Sequence, residues 1–260
     1  MKRKAKTTIV VGAASGIGEA TARLFGARGW HVLLADRNGE ALAKVETSMR
    51  GGGARATGYT LDISSEAEVD NFAVTMKAYG PIHAYVNSAG ILENAIRTTA
   101  LPLSEYDLIM NVNLRGTFLL SRAIGATMCK QGYGSMVHLC SMTSVRPSGQ
   151  PAYAVSKAGL KMLTEIMAAE FGVYGVRVNA VAPGYTLTPA LKERIERGER
   201  DPSKVFEKSA LKRFVLPEDV AEAIWFLSSD TASAITGVML PVDCGWIPFS
   251  SYSSYAAQPS

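Results

Sequence analysis

Within the run YAVSK, Tyr153 and Lys157 stand four residues apart, with Ser156 between them. On a helix that spacing brings both side chains to one face. A phenol titrates near about 10, so proton exchange near neutral pH lacks about 4 kcal/mol. An opposite charge within a few ångströms lowers such a pKa by roughly 1 to 3 units. The pair therefore reads as a candidate acid–base couple, with Lys157 expected to lower the phenol. The same spacing also arises as ordinary packing beside a solvated charge, so the surrounding elements must decide. One neighbour is suggestive: the apolar run SMVHLC ends at Ser141, 12 residues before Tyr153, and the loop between them can fold back.

The elements that must position these groups are legible in order. Thr7 to Val11 reads as a strand, GAASGIG from Gly12 to Gly18 as a tight turn, and EATARLFGARG as an amphipathic helix. Glycines in that context let the backbone approach a pyrophosphate at a helix N-terminus. A second strand, HVLLAD, ends at Asp36, 18 residues beyond Gly18. That is close to the interval of about 20 at which an acidic side chain meets a nucleotide ribose. Asp36 favours NAD over NADP, because a carboxylate repels a 2′-phosphate. Arg37 beside it could bind such a phosphate, stack on adenine or point to solvent.

A third strand, ATGYTLDI, is expected to end with Asp62 and Ile63, followed by a helix from Glu66 to Tyr79. A fourth, IHAYVNSAG, ends in the polar cluster Asn87 to Gly90. Strands alternating with helices at this interval predict an α/β fold, a single-domain Rossmann-type doubly wound parallel sheet with helices on both faces. In EYDLIMNVNLRGTFLL, Asn111, Asn113 and Gly116 are poor helix formers, so a local break is expected there.

Composition bounds the function. The formal charge of +4 comes from 27 basic against 23 acidic residues, and Lys2, Arg3, Lys4 and Lys6 supply all of the excess. A basic stripe for nucleic acid or a membrane surface is therefore not expected. The apolar run after this start ends at Gly12, too short for a secretory core or a membrane span. Cys129, Cys140 and Cys244 are dispersed and odd in number, which suits a reducing cytoplasm. His31, His83 and His138 are equally scattered, and no metal site is expected. The expected organisation is a basic extension over 1–6, a catalytic domain over 7–245 and a Ser-rich, partly loose tail over 246–260. Trp246 and Phe249 of that tail are candidates to cover a neighbour's pocket.

With these residues in place the chain resembles the classical short-chain dehydrogenase/reductase family from about Thr7 to Gly245. The resemblance rests on the GxxxGxG turn, NSAG, NVN, the serine before YAVSK, VRVNAVAPG and VDCG. It implies a catalytic set of Asn113, Ser141, Tyr153 and Lys157. Tyr153 would exchange a proton with the substrate oxygen while a hydride passes between a carbinol carbon and a nicotinamide. Ser141 would hold that oxygen, Lys157 would also grip the nicotinamide ribose, and Asn113 would hold a relay water. The cofactor would rest on Gly12, Ser15, Gly16, Ile17, Gly18, Asp36, Arg37, Asp62, Ile63, Asn87, Ala89, Gly90, Tyr153, Lys157, Pro183, Gly184, Thr186 and Thr188.

The resemblance further implies a substrate lid at about 188–214 and a homotetramer. The serine-to-tyrosine interval is one residue short of the family's commonest value, and four positions depart from the family pattern. Val11 replaces a threonine, which costs one hydrogen bond tying the glycine turn to the sheet. Ser88 replaces an asparagine, Cys140 a serine and Cys244 a glycine. A one-residue slip would put Cys140 rather than Ser141 at the substrate, which the MVHLC strand pattern disfavours. The expected activity is NAD-dependent oxidation of a secondary alcohol or reduction of its ketone, with a polyol, sugar or hydroxy acid as substrate. Arg146, Gln150 and Tyr185 are the polar candidates for the pocket. The alternatives are a 3-oxoacyl thioester reductase using NADPH and a non-catalytic NAD-binding regulator.

Overall fold

Thr7–Val11 forms β1, and all five of its residues are buried. A continuous apolar and β-branched run suits a strand covered on both faces. The computed structural model of the chain describes residues 5–199 and 201–252. After β1 come α1 (Gly16–Ala27), β2 (His31–Asp36), α2 (Gly39–Gly51), β3 (Arg55–Thr60), α3 (Glu66–Met76) and β4 (Ala84–Asn87). Then follow α4 (Leu103–Met110), α5 (Thr117–Gln131), β5 (Gly134–Leu139), α6 (Pro151–Gly172) and β6 (Val176–Pro183). The last elements are α7 (Pro189–Glu196), α8 (Ser203–Glu207), α9 (Pro217–Ser228), β7 (Met239–Val242) and α10 (Trp246–Tyr252).

The seven strands pair in parallel in the order β3-β2-β1-β4-β5-β6-β7. This is the doubly wound α/β sheet expected from the alternation. Successive side chains of a strand face opposite ways, and β1 shows it. Ile9 and Val11 join Leu33, Phe72, Tyr85 and Leu120 on one side, while Val10 joins Phe25, Leu34 and Ile224 on the other. The strand order reverses between β1 and β4, and such sheets open a ligand crevice at the carboxyl ends beside that reversal.

Several boundaries differ from expectation. β3 stops at Thr60, because the Asp62 carboxylate accepts from the backbone and hydroxyl of Ser64 at 2.9 and 2.7 Å and turns the chain out of the sheet. The helix from Glu66 is interrupted at Met76, and a tight turn over Lys77–Tyr79 completes it. Lys6, the last residue of the basic extension, pairs through its Nζ with Asp230 at 3.0 Å and lies 5.4 Å over the Trp30 ring. Lys2, Arg3 and Lys4 lie outside the described residues. The tail begins as helix α10, since the Asp243 carboxylate accepts from the Gly245 and Ile247 amides at 2.9 and 2.8 Å. Residues 253–260 of the tail are outside the description. No described helix is long and apolar enough to cross a membrane.

Candidate functional site

The glycine turn at the end of β1 is built for close approach. A methyl at Gly18 would run into the Gly12 carbonyl, and Gly16 takes a φ of +55° that side chains rarely adopt. A Cβ on Gly16 would reach within 3.4 Å of Thr188 Cγ2, so the turn and the chain beyond β6 form the two walls of a cleft. Ser15 precedes α1 without a side-chain cap, leaving first-turn amides free for an anion. This geometry fits a dinucleotide pyrophosphate, with Ser15, Gly16 and Ile17 at the helix start.

Asp36 lies at the carboxyl end of β2. Its Oδ2 accepts from the Ala14 amide at 3.0 Å and its Oδ1 from the Asn38 amide at 2.9 Å. Each oxygen retains a lone pair for a ribose hydroxyl. Arg37 is exposed, and together with the Ser64 hydrogen bonds it holds Asp62 below the usual carboxylate range, the Ser64 hydroxyl being the main cause. Ile63 is buried against Gly116.

Val11 was expected to leave the turn one bond short. The structure replaces that bond from the other side, for the Ser88 hydroxyl donates to the Val11 carbonyl at 2.7 Å. Two of the departures thus compensate each other. Asn87 and Ala89 continue the same strand end, the Asn87 side chain accepting from the Ala89 amide at 3.1 Å and donating to Thr117 Oγ1 at 3.2 Å.

Beyond them, a Cβ on Gly90 would stand 3.2 Å from Asn113 Oδ1 and 3.4 Å from Lys157 Nζ. Asn113 belongs to a wide π-helical turn over Asn111–Gly116, the break expected between α4 and α5. Its side chain is hydrogen-bonded at both polar atoms. Oδ1 accepts from the Ile91 amide at 2.8 Å, while Nδ2 donates to the Ile91 carbonyl and to Ser156 Oγ at 3.0 and 3.2 Å.

Ser141, Tyr153 and Lys157 meet where β5 ends against the start of α6. Cys140 turns into a core with Leu160, Ala180 and Ala182, and burial pushes its thiol up to about 11. Ser141 is thus the hydroxyl beside the phenol. The expectation that Lys157 lowers the phenol is not met in this structure. Burial pushes Tyr153 up to about 12, against the opposing Ser141 hydroxyl. The reason is where the amine points: Lys157 Nζ donates to the Leu139 carbonyl at 2.6 Å and lies 5.6 Å from the centre of the Tyr153 ring. Burial also pushes the amine itself down, to about 8.

Pro183 ends β6. Gly184 packs so closely on Asp243 that a Cβ would stand 2.8 Å from its Cα, while Thr186 and Thr188 lead into α7. Every residue named for the cofactor therefore lies at the carboxyl end of the sheet. The pocket candidates fare differently. Gln150 donates to the Glu93 carbonyl, Arg146 is half-buried and donates to the Val145 carbonyl, and Tyr185 stands edge-on to Trp246 at 6.4 Å.

The histidines are structural. His138, pushed down to about 4 by burial, is held by Ser121 and Thr164, both at 2.9 Å. The sequence carries no signal for the bonds made by Ser88, Ser144 and Glu93. Ser144 Oγ donates to the Lys157 carbonyl at 2.9 Å, and Glu93 accepts from the Tyr153 amide at 2.9 Å. Their partners are too distant in the chain for a spacing rule to reveal them.

Comparison with known proteins agrees with this geometry. Residues 12–247 match the family described as enoyl-(acyl carrier protein) reductase. The 3-oxoacyl-[acyl-carrier-protein] reductase FabG of Thermotoga maritima is 34% identical over 95% of this chain and 100% of its own. Galactitol 2-dehydrogenase (L-tagatose-forming) of Cereibacter sphaeroides is 36% identical over 91% of this chain and 93% of its own. A crystal structure described as ribose-5-phosphate isomerase from Brucella melitensis 16M superposes with a TM-score of 0.92 at 38% identity, over 98% of both chains. A family match over nearly the whole chain, together with relatives above 30% identity along almost their full length, places it: the chain belongs to the short-chain dehydrogenase/reductase family.

Proposed function

We propose that this oxidoreductase transfers a hydride between NAD and a secondary alcohol or its ketone, with a polyol, sugar or hydroxy acid as substrate. The observation that carries the reading is that Ser141 and Lys157 both stand beside Tyr153 at the start of α6, while Lys157 and Asn113 converge on Gly90. Similarity to a galactitol dehydrogenase supports the substrate class. The cofactor, when bound, supplies the hydride acceptor or donor at its nicotinamide ring. The glycine turn would hold its pyrophosphate, Asp36 its adenosine ribose, and Lys157 its nicotinamide ribose after turning from the Leu139 carbonyl. Tyr153 exchanges the proton with the substrate oxygen, and Ser141 donates to that oxygen as charge gathers on it. With the phenol raised by burial, Tyr153 needs a positive charge near it, so Lys157 serves best once it swings toward the ring.

The exposed Phe118 and the half-buried Met110, Leu114 and Leu163 line a groove of about 500 Å³ between α4, α5 and α6. An exposed apolar face of this kind supports self-association, which we read as the homotetramer. The three cysteines are free, which supports a cytoplasmic setting. The segment carrying α7 and α8 serves as the substrate lid.

The experiment is a rate panel of polyols, sugars, hydroxy acids and acyl thioesters with NAD and NADP. NAD-linked turnover of a polyol, lost in Tyr153→Phe while NADH still binds, is the expected result. Preferred reduction of 3-oxoacyl thioesters with NADPH would favour the second reading, which the FabG likeness supports. NADH binding without turnover of any substrate would leave a regulator. Cofactor-independent interconversion of aldose and ketose phosphates would refute the oxidoreductase assignment and point to the isomerase chemistry that the Brucella structure's description names.

A further inference from the structure

Helix α6 carries both Tyr153 and Lys157, yet its first turn is not capped from within. Gln150, at its N-cap, makes no side-chain bond to the turn, and Pro151 follows as the first helical residue. The amides of a first turn need acceptors from elsewhere. At Tyr153 the acceptor comes from 60 residues upstream, where Glu93 Oε2 receives the Tyr153 amide at 2.9 Å. Glu93 is 1% exposed, and its other carboxyl oxygen has no partner among the described residues. A buried carboxyl with one hydrogen bond is a costly way to cap a helix, since a serine or aspartate at the N-cap does so locally.

Glu93 does something a local cap cannot. It sits on the irregular segment after Gly90, and that segment is tied down along its length. Asn113 brackets Ile91 at both its amide and its carbonyl. The Gln150 side chain donates to the Glu93 carbonyl, and the Ile96 amide donates to the Gly149 carbonyl at 2.8 Å. Asn94 Oδ1 receives Arg194 of α7 at 3.3 Å. One strap therefore joins the π-helical turn, the start of α6 and the proposed lid.

We propose that Glu93 is a positioning residue: its buried carboxyl holds the Tyr153 backbone to this strap and thereby sets where the phenol stands beside Ser141. This rests on the reading of Tyr153 as the proton donor and acceptor. A misplacement of about 1 Å in such a group can cost about 100-fold in rate, so the hold matters beyond stability.

The test compares wild type with Glu93→Ala and Glu93→Gln. In Glu93→Ala, amide hydrogen exchange at Tyr153 should accelerate at least tenfold in the cofactor-free protein, with Leu163 further along α6 unchanged. With a substrate that wild type turns over, kcat should fall at least tenfold while the Kd for NADH stays within twofold. Glu93→Gln keeps an acceptor oxygen and should restore kcat to within threefold of wild type.

Unchanged exchange at Tyr153 would overturn the proposal. So would an unaltered kcat in Glu93→Ala, or equal losses in both variants. The exchange arm needs no turnover, so failure of the enzymatic reading is separable from failure of this one. Should Glu93→Ala not fold, Gln150→Leu releases only the Glu93 carbonyl. It should raise exchange at Tyr153 at least threefold, and no change there would equally overturn the proposal.

Discussion

Lys157 is 3% exposed, and burial lowers its pKa from 10.5 to about 8. A lysine that titrates lower in the folded than in the unfolded chain opposes folding wherever the unfolded chain holds the extra proton. The cost is complete below pH about 8, shrinks as pH rises from there to about 10.5, and is absent above. The gap between the two values corresponds to about 3 kcal/mol. Methionine keeps the unbranched stem without the charge, but loses the hydrogen bond to the Leu139 carbonyl, which offsets about 1 kcal/mol. Lys157→Met should therefore raise the unfolding free energy of the cofactor-free protein by about 2 kcal/mol at pH 7.

Urea unfolding of both proteins at pH 7 and pH 10 measures this, and their difference cancels what other groups contribute. At pH 10 the gain should be nearly gone, because the neutral amine of the wild type keeps its hydrogen bond at little cost. The variant should at the same time bind NADH more weakly and lose turnover. A charge held at the expense of stability is what a functional site carries. A variant less stable than wild type at pH 7 would refute the reasoning, and so would a gain of equal size at both pH values.

Asp36→Ala removes the carboxylate that would repel a 2′-phosphate. Its ratio of kcat/KM for NAD over NADP should fall at least tenfold, and an unchanged ratio in initial rates would show that Asp36 does not set the choice. Ser88→Ala deletes the donor to the Val11 carbonyl and should cost about 1 kcal/mol in urea unfolding; equal stability would mean the exchanged bond carries nothing. Cys244 holds a φ of +54°, a backbone that β-branched side chains tolerate worst. Cys244→Val should therefore lose about 1 to 2 kcal/mol, whereas Cys244→Gly should lose nothing in thermal unfolding. Loss in the glycine variant would assign the site to thiol packing instead.

The legible part of the site was the part that local geometry controls. The glycine turn could be read because a close backbone approach admits few residue types, and Gly18 shows how few. The bend at Asn111 to Gly116 was readable for a similar reason, since asparagine and glycine weaken a helix wherever they fall. Ser88 and Glu93 were not readable. Each acts on a group 60 or more residues away, Val11 and Tyr153 respectively, through a bond that only chain folding creates. Lys157 misled in a different way: the helical spacing placed it beside Tyr153 correctly, but said nothing of the Leu139 carbonyl that draws its amine aside.

Periodicity and turn chemistry by themselves determined the parallel α/β sheet and the end of it where a nucleotide fits. Both follow from which residues tolerate burial on two faces and which tolerate a tight turn. Tertiary structure alone decided the electrostatics. Burial raised the phenol and lowered the amine, and the direction of one hydrogen bond drew the amine away from the phenol that the helix had placed beside it. Desolvation depends on everything packed around a group, and no stretch of chain carries that information by itself.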